Sequence, residues 1–167
     1  FDYIFHLAGL TKACTTKDFF DANVKGTENL MQVALRNTNL RRFIYLSSLS
    51  ATGPSQNGTP VNEDVKPSPV SRYGESKLGG EKAVLKYRDK IPVTILRPPA
   101  VYGPRDRDFL VFFKMIKRGF YPDWGKCYYS MLYVDDLVQG ILLSSEKKNA
   151  QGEIYFLSGT EFYKGSE

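Results

Sequence analysis

The spacing of apolar residues alternates along the chain between two patterns. Short apolar runs predict buried strands at residues 2–8, 41–48, 92–96, 128–133 and 153–157. Apolar positions at helical spacing predict helices at residues 16–34, 73–89, 109–118 and 135–145, the first of them capped by Thr15 or Thr16. Alternating strands and helices are typical of βαβ units, so we expect an α/β fold with a doubly wound parallel sheet.

Two long polar segments interrupt this alternation. Residues 51–71 contain four of the nine prolines, and residues 98–107 contain further prolines and a glycine. A loop as long as the first is more often functional than idle. In a doubly wound sheet, ligands bind beyond the carboxyl ends of the strands. We therefore expect functional residues at positions 6–10, 47–50 and 97–103.

Composition and charge exclude several classes of protein. The 167 residues are 42% hydrophobic and 25% charged, and no apolar stretch approaches the ~18 residues that span a membrane. The net charge of +5 is scattered, without a basic cluster or a binding motif, so we expect no nucleic-acid partner. Cys14 and Cys127 lie far apart and the chain has one histidine, so we expect no metal site and a cytoplasmic location.

Tyr73 and Lys77 form the strongest candidate for a catalytic pair. They stand at i and i+4, so a helix places both side chains on one face. A phenol with a pKa of ~10 is a poor base at neutral pH, and a nearby ammonium lowers that pKa. Ser48 ends the preceding strand, where its hydroxyl can hydrogen-bond a substrate oxygen beside Tyr73. Tyrosine and lysine at this spacing also occur by chance. The catalytic interpretation therefore depends on the strands and loops that precede and follow Tyr73 and Lys77 in the sequence.

Six short segments occur in an order that carries a family resemblance. They are residues 2–9 (DYIFHLAG), 23–27 (NVKGT), 43–48 (FIYLSS), 73–77 (YGESK), 96–104 (LRPPAVYGP) and 133–137 (YVDDL). Together they resemble the extended short-chain dehydrogenases/reductases, also called the NAD-dependent epimerase/dehydratase family, which have a Rossmann-like fold. The resemblance covers nearly the whole chain, and the ordered set is far more specific than any one segment.

The resemblance implies roles for individual residues. It makes Tyr73 the general acid/base, Lys77 the partner that lowers its pKa and binds the nicotinamide ribose, and Ser48 the group that orients the reacting oxygen. The implied contacts of the cofactor, NAD or NADP, are Ala8, Gly9, Leu10, Asn23, Tyr73, Lys77, Pro98 and Val101. The implied substrate contacts are Leu49, Ser50, Ala100 and Arg105. The implied reaction is hydride transfer between the cofactor and a small secondary alcohol or ketone.

Two departures from the family pattern qualify this expectation. None of the 14 glycines forms the G-x-G-x-x-G turn that holds a pyrophosphate at a helix N-terminus. We therefore expect residues 1–167 to be one partial NAD(P)-binding domain, the catalytic half, cut at both ends, with a substrate-binding region starting near residues 105–133. Ala100 stands where many nucleotide-sugar epimerases and dehydratases carry Asn, and its segment is closer to hydroxysteroid dehydrogenases and dihydroflavonol reductases.

Two function classes remain open. The first is an NAD(P)-dependent oxidoreductase or epimerase whose isolated catalytic half binds cofactor poorly. The second is a catalytically silent dinucleotide-sensing or interaction module on the same fold. In either case the strand at residues 2–8 would expose an apolar edge if its neighbours are missing, which favours disorder or self-association, for example as a homodimer.

Weaker signals have structural explanations that we prefer. His6 lies in an apolar strand and is expected to be a structural residue rather than a base. Asp135 and Asp136 are expected to cap a helix rather than act as paired carboxylates. The aromatic helix at residues 109–118 is expected to be buried; the alternative is a substrate lid flanked by Arg105 and Arg107.

Two further motifs are expected to be simple turns. Residues 119–126 resemble a phosphate-binding loop, but the glycine spacing is wrong and Cys127 replaces Ser or Thr. Residues 57–59 (NGT) match a glycosylation acceptor, but without secretion they are expected to form a tight turn.

Overall fold

Eight strands and five helices account for the regular structure in the described part of the chain. The computed structural model describes residues 1–55, 58–120, 128–159 and 163–164. The strands are β1 (Tyr3–His6), β2 (Arg42–Leu46), β3 (Val93–Arg97), β4 (Ala100–Tyr102), β5 (Tyr128–Tyr129), β6 (Met131–Tyr133), β7 (Ile154–Phe156) and β8 (Tyr163–Lys164). The helices are α1 (Thr16–Phe20), α2 (Gly26–Ala34), α3 (Arg72–Leu85), α4 (Arg107–Lys117) and α5 (Val134–Glu146).

The main sheet confirms the predicted α/β architecture. It contains β1, β2, β3 and β7 in that order, and all of its pairings are parallel. Two small pairings lie outside it: β4 runs parallel to β6, and β5 runs antiparallel to β8. Since every crossover in the main sheet is parallel, the carboxyl ends of β1, β2 and β3 meet at one edge.

Each face of the sheet is covered by its own hydrophobic cluster. Along β2, Phe43 and Tyr45 pack with Met31 of α2 and Val84 of α3, whereas Ile44 packs on the other face. The second cluster joins Ile44 and Leu96 to Leu132, Leu137 and Ile141. Successive strand residues point to opposite faces, so a strand covered on both sides is a continuous apolar run, as the sequence predicted.

The helix after β1 is capped as predicted but contains an unpredicted irregularity. Thr15 accepts a hydrogen bond from the Asp18 backbone N–H, and the Asp18 side chain accepts one from the Thr15 backbone N–H, which completes a capping box. Between α1 and α2, residues Asp21–Lys25 form a π-helical turn. Such a turn accommodates one extra residue, which apolar spacing does not reveal.

The loop predictions hold for the first polar segment and fail for part of the second. Residues 51–71 contain no strand or helix among their described positions beyond the end of the 3₁₀ turn Leu49–Ala51. In contrast, β4 lies inside the predicted loop at residues 98–107, because it finds a parallel partner in β6. The single strand predicted at residues 128–133 was also wrong: it is divided at Ser130 into β5 and β6, which pair with different strands.

Two predictions about helices are corrected by the structure. No residue of α4 is buried, and Leu110, Val111 and Phe113 are 47%, 60% and 43% exposed, so the predicted buried helix was wrong. The lid alternative stays a prediction. The N-cap of α5 is Tyr133, which makes no side-chain capping bond, so Asp135 and Asp136 are not the cap. Both carboxylates lie in the first turn, where the helix dipole favours them.

Several sequence features lie wholly or partly outside the described residues. Asn57 of the predicted turn, most of the glycine-containing segment at 119–126, and Cys127 belong to this group. Within the described residues, no helix is long and apolar enough to cross a membrane. Over the same residues, no cluster of His, Cys, Asp or Glu could hold a metal ion.

Candidate functional site

The carboxyl ends of β1, β2 and β3 meet the first turns of α3, and the predicted catalytic residues lie there. Ser48 follows β2 and begins the 3₁₀ turn Leu49–Ala51, where its hydroxyl accepts a hydrogen bond from Ser50 N at 3.2 Å. Tyr73 and Lys77 lie in successive turns of α3, whose N-cap is Ser71. The structure therefore places Ser48, Tyr73 and Lys77 at one edge of the sheet, as their spacing predicted.

Close packing of α3 against β2 brings these side chains to the strand ends. A Cβ atom on Gly80 would overlap the Tyr45 hydroxyl oxygen and lie only 2.6 Å from Asn23 O. Only glycine permits this approach, because any larger residue would push α3 away from β2. The turn of α3 that contains Gly80 is thus held against the sheet, and Lys77, one turn earlier, lies toward the end of β2.

Lys77 is buried beneath the site. Its ammonium donates a hydrogen bond to Leu46 O at 2.6 Å and lies 4.5 Å from the centre of the Tyr45 ring. The side chain is 4% exposed, and this burial lowers the pKa of Lys77 to about 8, although the Glu81 carboxylate acts in the opposite direction. Lys77 remains mostly charged at neutral pH, but a modest change in its surroundings would neutralise it.

Tyr73 is partly buried, and the Ser48 side chain is a polar neighbour of its phenol. Its ring packs against Phe19 with the ring centres 6.2 Å apart. Burial raises the pKa of Tyr73 above its ordinary value, and the neighbouring Ser48 side chain acts against this effect. The predicted lowering of this pKa by Lys77 is not found in the chain alone, because burial dominates and the ammonium is directed at Leu46 O.

Asn23 ties the segment after β1 to α3. Its side-chain amide accepts a hydrogen bond from Leu10 N at 2.8 Å and donates to Leu10 O at 3.0 Å and to Ser76 Oγ at 2.8 Å. The Ser76 hydroxyl in turn donates to Tyr73 O at 2.7 Å. The π-helical turn presents Asn23 in this position, fully buried. The predicted cofactor residues Leu10 and Asn23 therefore lie beside the first turn of α3.

Gly9 provides a test of whether this region could hold a cofactor. A Cβ atom there would lie 2.9 Å from Asn23 Oδ1 and 3.5 Å from Lys77 Nζ. The exposed backbone of Ala8, Gly9 and Leu10 thus passes directly beside a buried ammonium. An exposed strand end beside a charged hydrogen-bond donor fits a ligand that carries hydroxyl groups, such as a ribose.

A cleft of about 470 Å³ opens beside Ser48 and Tyr73. Three of the four predicted substrate residues line it, namely Leu49, Ser50 and Ala100. Its remaining walls are Gly53, Pro54, Val70, Ser71, Pro99, Tyr128, Tyr129 and Ser130. The fourth predicted residue, Arg105, lines a separate cleft of about 550 Å³ at the start of α4. Arg105 has a φ of 73°, so its backbone adopts a left-handed conformation that is uncommon for arginine.

The two predicted cofactor contacts after β3 differ in environment. Pro98 O accepts a hydrogen bond from Leu49 N at 2.8 Å, so this carbonyl joins the ends of β2 and β3. Val101 lies within β4 opposite Leu132, and its side chain packs against the second hydrophobic cluster. A contact between Val101 and a cofactor would therefore involve its backbone.

Sequence reasoning missed a buried ion pair directly behind the site. Glu81 lies one turn beyond Lys77, and its carboxylate accepts hydrogen bonds from Arg97 Nε at 2.8 Å and Nη2 at 2.6 Å. The Ser47 hydroxyl also donates to Glu81 Oε1. The side chains of Arg97 and Glu81 are 3% and 1% exposed. Helical spacing from Tyr73 through Lys77 to Glu81 was the available signal, because it places all three on one face.

His6 has the surroundings of a structural residue. Thr27 Oγ1 donates to Asn23 O at 2.8 Å, so it accepts the hydrogen bond from His6 Nε2 at 2.9 Å. Burial first, and the charge of Lys77 second, lower the pKa of His6 to about 4. His6 is therefore neutral at physiological pH, as expected for a buried structural histidine.

This lowered pKa predicts how stability depends on pH. Between about pH 6.5 and pH 4 the unfolded chain takes up a proton on His6 that the folded chain does not. We expect the free energy of unfolding to fall by about 3 kcal/mol as the pH decreases through this window. Because the chain has one histidine, the His6→Gln variant, measured by urea unfolding, should lack this part of the pH dependence. Parallel stability curves for the two proteins would contradict the prediction.

The comparisons with known proteins agree with this geometry. The profile of the NAD dependent epimerase/dehydratase family matches residues 1–158. YtcB of Bacillus subtilis (strain 168), named an uncharacterized UDP-glucose epimerase, is 31% identical over 96% of this chain and 54% of its own length. A 4-hydroxy-2-methyl-3-oxo-4-farnesyl-3,4-dihydroquinoline-1-oxide ketoreductase of Stigmatella aurantiaca is 29% identical over 94% of this chain and 48% of its own length.

A solved structure extends the similarity to three dimensions. The UDP-glucuronic acid 4-epimerase from Bacillus cereus, solved in complex with NAD, has a TM-score of 0.85 and 31% identity over 99% of this chain and 56% of that chain. The chain spans about half the length of the curated relatives and solved structures that it matches. Since the family profile covers the main sheet, all five helices and the Ser48, Tyr73 and Lys77 positions, the chain belongs to the NAD dependent epimerase/dehydratase family.

Proposed function

We propose that the whole protein is an NAD(P)-dependent oxidoreductase or epimerase that acts on a secondary alcohol or ketone through Ser48, Tyr73 and Lys77. The observation that carries this proposal is that Ser48 and Tyr73 line the same wall of a cleft, with the buried Lys77 one helical turn beyond Tyr73. Hydroxyl, phenol and ammonium groups gathered at the carboxyl edge of a parallel sheet are suited to moving a proton to or from a substrate oxygen.

The three side chains have separate tasks in this proposal. The Ser48 hydroxyl orients the substrate oxygen, and the Tyr73 hydroxyl donates a proton to it or accepts one from it. The raised pKa of Tyr73 keeps the phenol protonated at neutral pH, which suits proton donation to a carbonyl oxygen. The positive charge of Lys77, one turn further along α3, favours the phenolate when the proton has left.

We propose NAD as the cofactor, with Lys77 and the backbone of Ala8, Gly9 and Leu10 as its contacts in this part of the protein. When bound, the nicotinamide supplies or accepts the hydride. The Lys77 ammonium has three N–H groups. One donates a hydrogen bond to Leu46 O, and a second is available to donate to a ribose hydroxyl beside Gly9. The NAD dependence of the family and the NAD-bound epimerase of Bacillus cereus support this choice.

The first candidate substrate is a nucleotide sugar. The UDP-sugar epimerases among the relatives and solved structures support it. The second candidate is a less polar ketone or alcohol, which the wall of the cleft favours, because Ala100 follows Pro99 where the family's sugar enzymes often have a hydrogen-bonding amide. The farnesylated substrate named for the Stigmatella aurantiaca ketoreductase is of this kind.

The remaining partners follow from the same proposal. We propose that the enzyme binds a small-molecule substrate, is located in the cytoplasm and can form a homodimer. The free, exposed Cys14 is compatible with a reducing compartment.

Substrate conversion by the full-length protein tests the proposal. The protein is incubated with NAD and UDP-glucose or UDP-glucuronic acid, and in parallel with reduced cofactor and a cyclic ketone. We expect NMR to detect the C4 epimer of a UDP-sugar. Ketone reduction without sugar epimerisation would support the second candidate. Absence of both reactions, together with dinucleotide binding, would indicate a catalytically silent module.

A further inference from the structure

Behind the site, the Glu81 carboxylate joins three elements of the fold. It lies on α3 and accepts hydrogen bonds from Ser47, at the end of β2, and from Arg97, at the end of β3. We propose that Glu81 is a positioning residue of the site, one that holds the segment bearing Ser48 against α3 and so sets how Ser48 meets Tyr73. This inference rests on the proposed function, because it assigns a role around the same site.

The hydrogen bonds hold the Ser48 segment from both ends. At its start, Ser47 bonds Glu81 directly. At its end, Arg97 Nη1 donates to Thr52 Oγ1 at 3.0 Å while the same guanidinium bonds Glu81. Between these anchors, Ser48 caps the 3₁₀ turn and lines the same cleft as Tyr73. Glu81 therefore links both ends of the Ser48 segment to α3, while backbone hydrogen bonds from Ser47 N and Leu49 N tie the same segment to the end of β3.

Glu81 also influences the charge of Lys77. The titratable groups around Lys77 are Tyr73 and Glu81 on its own helix, His6 of β1 and Tyr45 of β2. Among them, the negative charge of Glu81 raises the pKa of Lys77, in opposition to burial. His6 is neutral and Tyr45 remains protonated, because burial lowers the pKa of the first and raises that of the second. Glu81 is thus the neighbour that favours the charged form of Lys77.

A paired replacement separates positioning from stability. In the double variant Glu81→Met with Arg97→Met, both buried charges are removed together, and apolar groups of similar size replace them, which proteins generally tolerate. We expect this variant of the full-length enzyme to fold, and its kcat to decrease by at least about tenfold with little change in KM, since small displacements of reacting groups cost this much or more. The alkaline limb of its pH profile should move to lower pH.

The titration of Lys77 provides a readout that does not depend on activity. NMR of the chain labelled with ¹³C-lysine, with Lys77→Met as the assignment control, follows the pKa of Lys77 directly. We expect that pKa, about 8 in the wild type, to be lower in the double variant. An unchanged kcat of the double variant, or an unchanged Lys77 titration, would overturn the inference.

Two further variants keep the result interpretable. Arg42→Met removes a buried guanidinium from the opposite end of β2, where Arg42 bonds Thr94 Oγ1 and Lys147 O. It should reduce stability and leave kcat and the pH profile unchanged. If the double variant does not fold, Ser47→Ala removes one of the anchors and should lower kcat several-fold, whereas an unchanged kcat would overturn the inference.

The inference and the proposed function can fail separately. If Tyr73→Phe lowers activity but the double variant does not, the inference is wrong and the proposed function stands. If the wild type has no NAD-dependent activity, the proposed function is wrong, and the Lys77 titration alone decides the inference. A lowered pKa of Lys77 would then support it, and an unchanged pKa would overturn it.

Discussion

Replacing Tyr73 with Phe is expected to lower kcat of the full-length protein by about 10²- to 10⁴-fold, with little change in substrate affinity. This is the range that a positioned proton donor or acceptor contributes to a reaction. The substitution removes one hydroxyl at the wall of the cleft and leaves the ring that packs against Phe19. Steady-state kinetics of both proteins, with the substrate that the conversion assay identifies, measure the effect.

Tyr87→Phe is the matched control for this variant. Tyr87 follows the C-terminal end of α3 and packs against the first hydrophobic cluster, on the opposite end of the helix from the cleft. The Tyr87→Phe variant also loses one tyrosine hydroxyl, and its kcat should equal that of the wild type. Equal kcat values for the wild type and Tyr73→Phe would contradict the assignment of Tyr73 as the proton donor or acceptor.

Replacing Glu81 with Ala is expected to lower the free energy of unfolding by about 3–5 kcal/mol. This loss is typical when one partner of a buried ion pair is removed, because the remaining charge is left without compensation in a low-dielectric environment. Here the remaining charge is the Arg97 guanidinium, 3% exposed, which also packs over the Phe156 ring. Urea unfolding of this chain measures the difference.

Glu75→Ala on the same helix is the control for the loss of a carboxylate. Glu75 pairs with Arg72 at 2.9 Å on the surface, where both side chains are more than a third exposed. Its loss should cost less than about 1 kcal/mol, because solvent screens the pair. A cost for Glu81→Ala as small as that for Glu75→Ala would show that Arg97 finds other compensation.

The sequence predicted those features that depend on local patterns. Apolar runs located the four strands of the main sheet, and the capping signal at Thr15 located the start of the following helix. The i, i+4 spacing of Tyr73 and Lys77 placed both on one side of α3, and the strand ending before Ser48 placed that residue at the same edge. Periodicity and topology are sufficient for these predictions.

Features that depend on partners distant in sequence could not be predicted. β4 is a strand because β6 runs alongside it, and Ser130 separates two strands because their partners differ. Apolar residues in α4 indicated burial, yet the helix lacks a covering element among the described residues. The raised pKa of Tyr73 also depends on how deeply the folded chain buries the phenol, which helical spacing does not reveal.

The π-helical turn at Asp21–Lys25 makes the number of residues in this segment as important as their identity. The turn lets Asn23 reach Leu10 and Ser76 while Thr27 meets His6. Deleting a single residue here would restore ordinary α-helical winding and rotate one side of the helix by about 100° relative to the other. Asn23 and Thr27 could then no longer both keep their partners. Insertions and deletions in this helix are therefore constrained even where its exposed side chains are free to vary.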